Sequence, residues 1–277
     1  MGDASMTSAR GRSRFPNAAG CLLAAVLALP GVAAAQFALY VSPPRVEVQA
    51  KAGETKRHVL ELQHSGLAAS SLRFSTNDWA LRADNTVLFN DALSQDSCRP
   101  WVALERRELK IEPNGKYRYR FEVTPPAGTP QGECRFAIMV EGLDTTKVEQ
   151  GAFSFPVAGR IAVIVYVQVE GASPKLAIGK PGVREVKGIR QPVIEVTNSG
   201  NATGRLEGFL TAVDAAGVEF ELTPESLPIL PGVTKSIALL PTEEGGKKPP
   251  TPQYPLRVKG TLEWGKSRDT VELRFAP

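Results

Sequence analysis

The chain has 277 residues, 42% of them hydrophobic, with 33 basic and 29 acidic side chains and a formal charge of +4. That length suits two domains of ordinary size. The basic residues are scattered among acidic ones, as in "VALERRELKIE", so no one-sided basic face of the kind nucleic acid requires is present, and no nucleic-acid partner is expected.

The front of the chain reads as an export leader. Arg10, Arg12 and Arg14 precede the apolar stretch "CLLAAVLALPGVAAA", which closes on an A-x-A pattern at Ala35. The stretch is too short for a good membrane span and holds Pro30. Residues 1–35 are therefore predicted to be a signal peptide, with a soluble, exported chain starting near Gln36 and no stable membrane insertion. Cys21 stands at the start of the apolar core and not after it, the wrong order for a lipid-bearing cysteine.

The following 130 or so residues carry a period of two. "RVEVQA", "HVLELQ", "SLRFSTNDWAL", "ELKIEP", "YRYRFEV" and "CRFAIMVEG" are predicted strands, parted by Gly, Pro, Asn and Asp clusters. "PNGKY" carries an Asn-Gly hairpin signal. "GAFSFPVAGRIAVIVYVQVEG", Gly151 to Gly171, reads as one long strand. Phe153, Phe155 and Val157 share a face in its first half; Arg160 then precedes an apolar run from Ile161 to Val167. "EGASP" at 170–174 reads as a hinge, after which the pattern restarts in "PKLAI", "PVIEVTNSG", "GRLEGFLTAVD", "VEFEL", "TKSIALL", "YPLRVKGTLEW" and "DTVELRF". The prediction is all-β: two immunoglobulin-like β-sandwiches, an N-terminal one over 36–170 and a C-terminal one over 171–277. Asn201-Ala-Thr matches a glycosylation acceptor, a pattern frequent by chance.

Beyond the leader only Cys98 and Cys134 remain. An exported chain with two cysteines usually pairs them. The alternative is two thiols or a metal site, but no Cys or His neighbours them at ligand spacing. A bridge across that interval restricts the unfolded chain by roughly 3–4 kcal/mol on the loop-entropy model.

Catalytic patterns are missing. There is no G-x-S-x-G, no H-E-x-x-H and no phosphate loop, and the two histidines, His58 and His64, read as a strand-face residue and a turn residue. No enzyme activity, cofactor or metal is expected. Binding or structural work is the default for two exported sandwiches, although fold alone does not decide function.

Several segments then line up in order. "VSPPRVEV" at 41–48, "SLRFSTNDWAL" with Trp79, "LKIEPNGKYRYRFEV" and "TPQGECRFAIMVEG" resemble successive strands of the periplasmic pilus chaperones of the chaperone–usher pathway. The stretch from Gly151 falls on the last strand of their first domain. The resemblance covers about residues 38–170, and the second domain in general character. It implies a chaperone that lends a strand to the incomplete sandwich of a pilus or similar exported subunit and delivers that subunit to an outer-membrane usher. By position, Phe153, Phe155 and Val157 are the donated side chains. Arg45 and Arg160 hold the subunit's C-terminal carboxylate, Arg160 standing where the family has a lysine; arginine grips a carboxylate through two parallel bonds. Three features depart from the family: Pro156 inside the donor stretch, "EGLDTTKVEQ" in place of the family's motif ahead of it, and the Cys98–Cys134 pair.

Read without the resemblance, the same residues allow another account. An alternating strand ordinarily buries its apolar face in its own domain, Arg160 caps it against solvent, and Arg45 is a solvated strand start. The protein is then a structural or adhesive envelope protein of two immunoglobulin-like domains with no client.

Overall fold

Strict alternation builds the first domain. In the computed structural model, which describes residues 38–144, 146–150, 153–186, 188–242 and 251–276 (the backbone alone for 146–150 and 153–157), the segment "RVEVQA" buries Val46, Val48 and Ala50 and leaves Arg45, Glu47 and Gln49 outside. The leader assigned to residues 1–35 lies outside the described residues. In chain order the first domain consists of β1 (Leu39–Ser42), β2 (Arg45–Ala50), β3 (Lys56–His64), β4 (Ser70–Leu81), β5 (Val87–Asn90), β6 (Val102–Leu104), β7 (Glu108–Ile111), β8 (Lys116–Val123), β9 (Gly132–Gly142), β10 (Thr146–Gln150), β11 (Phe153–Val157) and β12 (Arg160–Val169). One sheet has the order β1-β3-β8-β6. The other has the order β2-β12-β9-β4-β5, with β7 also on β4. All pairs are antiparallel except β2 with β12, which run parallel with Arg45 opposite Ile164.

The core lies between these sheets. Val163, Val165, Val167 and Val169 of β12 and Phe136, Ile138 and Val140 of β9 face Leu60, Leu62, Phe121 and Val123 of the opposite sheet. Phe74 stacks on Tyr119 with ring centroids 3.9 Å apart. The Tyr119 hydroxyl donates to the Arg106 carbonyl at 2.6 Å, and burial pushes its pKa up to about 12. Cys98 and Cys134 are bridged, tying the loop ahead of the Arg99–Trp101 turn to β9.

Two sequence expectations change. The Asn-Gly turn forms, with Asn114 at φ 55° and Gly115 N–H donating to the Glu112 carbonyl. The strands it joins do not pair, however: β7 lies on β4 and β8 on β3 and β6, so the turn carries the chain from one sheet to the other. The stretch predicted as one strand from Gly151 is broken. β11 ends at Val157, Ala158 and Gly159 intervene, and β12 begins at Arg160; β11 pairs with β10 in a two-stranded sheet of its own.

The second domain comprises β13 (Leu176–Val186), β14 (Ile189–Asn198), β15 (Glu207–Val213), β16 (Glu219–Pro224), β17 (Thr234–Pro241), β18 (Leu256–Trp264) and β19 (Ser267–Phe275), all antiparallel in the order β13-β14-β17-β16-β15-β18-β19. Its core gathers Ile194, Leu206, Leu210, Leu222, Ile237, Leu239, Leu262 and Phe275. Asn198, fully buried, fastens the "NSGNATG" turn. Its Nδ2 donates to the carbonyls of Ala202 and Ile229, and its Oδ1 accepts from the N–H groups of Lys175 and Gly200. The start of the connection between the domains is held against the first domain. Glu170, at φ 52°, accepts from Ala52 N–H through its side chain and from Gln131 through its carbonyl.

Candidate functional site

The outer face of the β2-β12-β9-β4-β5 sheet is largely polar, and the second domain meets part of it, at Glu47, Glu133 and Tyr166. Alternation that sends Val163, Val165 and Val167 inward sends Arg160, Ile164, Tyr166 and Gln168 outward. The same rule puts Arg45, Glu47 and Gln49 outside on β2, and Glu133 and Arg135 outside on β9. Trp79 of β4 joins them, its indole N–H donating to the Phe136 carbonyl at 3.2 Å.

These side chains form a row in which two aromatics stand between two cations. Arg135 lies 5.5 Å from the Trp79 ring, Trp79 meets Tyr166 edge-on at 5.7 Å, and Arg205 from the second domain lies 5.0 Å from the Tyr166 ring. Arg205 also donates to the Tyr166 hydroxyl at 2.8 Å and approaches Glu47 at 3.8 Å. Beside the row, the carboxylate of Glu133 is almost wholly buried and accepts from Thr203 twice, from its N–H at 2.7 Å and its Oγ1 at 2.5 Å. Burial pushes the Glu133 pKa up, and the Thr203 bonds oppose that shift. Burial likewise raises the Tyr166 hydroxyl, against the Arg205 charge. Asn201 and Thr203 of the glycosylation-like triplet are thus both engaged: the amide of Asn201 accepts from Ser173 N–H and Thr203 holds Glu133.

Arg45 opens onto a cleft of about 610 Å³ between the domains, shared with Gln49, Gln168, Arg205 and Trp264. Its Nε pairs with Glu47 at 3.3 Å, so Glu47 stands between Arg45 and Arg205. Arg160 lies elsewhere on the same face. Arg45 is in register with Ile164, four positions further along β12, an offset of about 13 Å at the rise of a strand. Arg160 is in register with Glu141, which it meets at 2.9 Å, and it reaches Asp91 at 3.4 Å. Asp91 is presented by the loop that leads to Cys98. Asn77 donates to its carboxylate, and Arg99 donates to the carbonyls of Asp91 and Ala92. The two arginines singled out in the sequence therefore share a sheet face but have separate carboxylate partners. The basic residue that joins Arg45 across the cleft is Arg205.

No family model matches the sequence, and no curated protein matches it. Solved structures similar to the chain include the class 5 fimbriae chaperone CfaA, 10% identical over 86% of this chain and 99% of that one, with a TM-score of 0.47. The YadV chaperone is 10% identical over the same shares, with a TM-score of 0.46. The CsuC–CsuE chaperone–tip adhesion subunit pre-assembly complex, from archaic chaperone–usher Csu pili of Acinetobacter baumannii, matches at 14% identity over 86% of this chain and 99% of that one, with a TM-score of 0.43.

Phe153, Phe155 and Val157 lie on β11 of the separate hairpin, with Gln150, Val148 and Thr146 opposite them in register. Their side chains fall outside the described residues. The histidines have structural surroundings. His58 stacks on Phe121 at 5.5 Å. His64 is buried, with its Nε2 at 2.7 Å from the Ala68 carbonyl. Arg205 was not legible as a site residue: "GRLEGF" resembles any solvated strand start, and the contact depends on how the second domain seats on the first.

Proposed function

We propose that the protein is an exported assembly chaperone of the periplasm, which holds pilus or similar β-sandwich subunits by lending them β11 and passes them to an outer-membrane usher. One observation supports this reading best. β11, the strand carrying Phe153, Phe155 and Val157, belongs to neither sandwich sheet; among the described strands it pairs with β10 alone. A strand with an unpaired edge is a ready template for another chain. Backbone pairing supplies the attachment, and alternate side chains entering the client's groove supply the selection. Pro156 lacks an N–H, which suits an edge strand.

Arg160 begins β12 with only two residues between it and the end of β11, so a client strand laid along β11 ends beside it. A C-terminal carboxylate there exchanges for Asp91, an exposed partner whose ion pair with Arg160 is weak by its solvation. Arg45, with Arg205 across the cleft, extends the basic surface on the same face. Affinity capture of the tagged full-length chain from the periplasm of its own host tests the proposal. The expected companion is a small exported β-sandwich subunit lacking one strand. Recovery of the chain alone, under conditions that keep such subunits soluble, contradicts it and favours a structural envelope protein.

A further inference from the structure

A second recess between the domains, of about 380 Å³, is lined on the first-domain side by the β4–β5 turn with Arg82 and Asn85. On the second-domain side it is lined by Arg184 of β13, Lys235 of β17, and Glu225 and Pro228 from the connection ahead of β17. Arg45 and Arg160 are not among its walls. Lys235 is half-buried, and its ammonium donates to Asn85 Oδ1 at 2.7 Å and to the Pro228 carbonyl at 3.0 Å. Both acceptors are neutral, and an ammonium has a third proton to give. Arg82 and Arg184 are exposed. None of the three cations forms an ion pair with a described carboxylate. Three positive groups thus face a concave wall that holds one carboxylate, Glu225.

Partly buried charge is usually paired, because taking a cation out of water costs free energy that neutral acceptors offset incompletely. Burial already pushes the Lys235 pKa down, with Glu225 opposing. Two guanidinium forks and an ammonium are the donors that recognise phosphate and carboxylate oxygens, and the recess lies in the size range of small-ligand sites.

We propose that this recess binds an oxyanion carrying two or more negative charges, gripped from the first domain by Arg82 and from the second by Arg184 and Lys235. The ligand spans the two domains and is distinct from any client carboxylate at Arg160. Its charge comes from phosphate or from clustered carboxylates, and the test separates these sources. Pyrophosphate and citrate are titrated into the full chain by calorimetry at low ionic strength, with sodium chloride at matched ionic strength as control. The expected result is saturable binding of at least one of them at one site, weakened about tenfold or more by Arg82→Ala and by Arg184→Ala separately. These two side chains make no ion pair in the fold, so the variants keep it, as circular dichroism checks. Lys235→Arg should retain binding. Tighter pyrophosphate points to a phosphate source and tighter citrate to carboxylates. Heats no larger than with chloride, or affinities unchanged in both alanine variants, overturn the proposal.

Discussion

At the residue scale the informative groups are carboxylates that occupy arginines. Asp91 and Glu141 neutralise Arg160 before any partner arrives. If Arg160 holds a client carboxylate, Asp91 competes with it. Asp91→Asn should therefore tighten client binding by up to about fivefold, the range of an exposed ion pair. Unchanged or weaker binding in surface plasmon resonance contradicts a competing role. His58 provides a test of a different kind. Burial holds its imidazole pKa below the ordinary value, and Lys56 adds to the effect. The unfolded chain thus takes up a proton at higher pH than the folded one. The contribution to stability is complete above about pH 6.5 and is lost as pH falls from there towards the folded value. Denaturant unfolding at about pH 7.5 and about pH 5.5 should show a smaller loss for His58→Phe than for the parent chain.

At the scale of elements, what could be read in the sequence follows the range of the forces involved. "RVEVQA" was legible because burial of Val46, Val48 and Ala50 is written in its own alternation. The Asn114-Gly115 turn was legible in the same local sense, whereas the pairing of its flanking strands was not. A turn fixes the chain's direction, but the ladders β7–β4 and β8–β3 are contacts between residues distant in sequence. The break at Ala158-Gly159 was hidden because small residues inside an apolar run preserve the period. β10 was hidden because "TKVEQ" holds a single apolar residue. The placement of Arg45 relative to Arg160 was hidden because it depends on register. The parallel pairing of β2 with β12 sets them four positions apart.

For the whole molecule, the question is what fixes one domain against the other. The connection at Glu170 is fastened to the first domain by two bonds, and across the domains the buried Glu133 carboxylate is met by Thr203 through two more. A hydrogen bond to a charged, buried group is strong because its loss leaves the charge desolvated and underpaired. Thr203→Val should cost about 1–3 kcal/mol in denaturant unfolding and broaden the interdomain angle in small-angle scattering. A variant with parental stability and scattering removes Thr203 from that role. The proposed chaperone activity needs this seating, because Arg205 reaches the first domain only while the second domain stays in place. Its central element is nevertheless the hairpin strand. The most direct measurement is capture of the exported subunit by Phe153→Ser/Phe155→Ser, run beside thermal unfolding of the same protein. The account predicts lost capture with the unfolding midpoint nearly unchanged. A collapse of stability, expected if the two rings were core residues worth about 1.5–3 kcal/mol each, or full capture by the double variant, contradicts it.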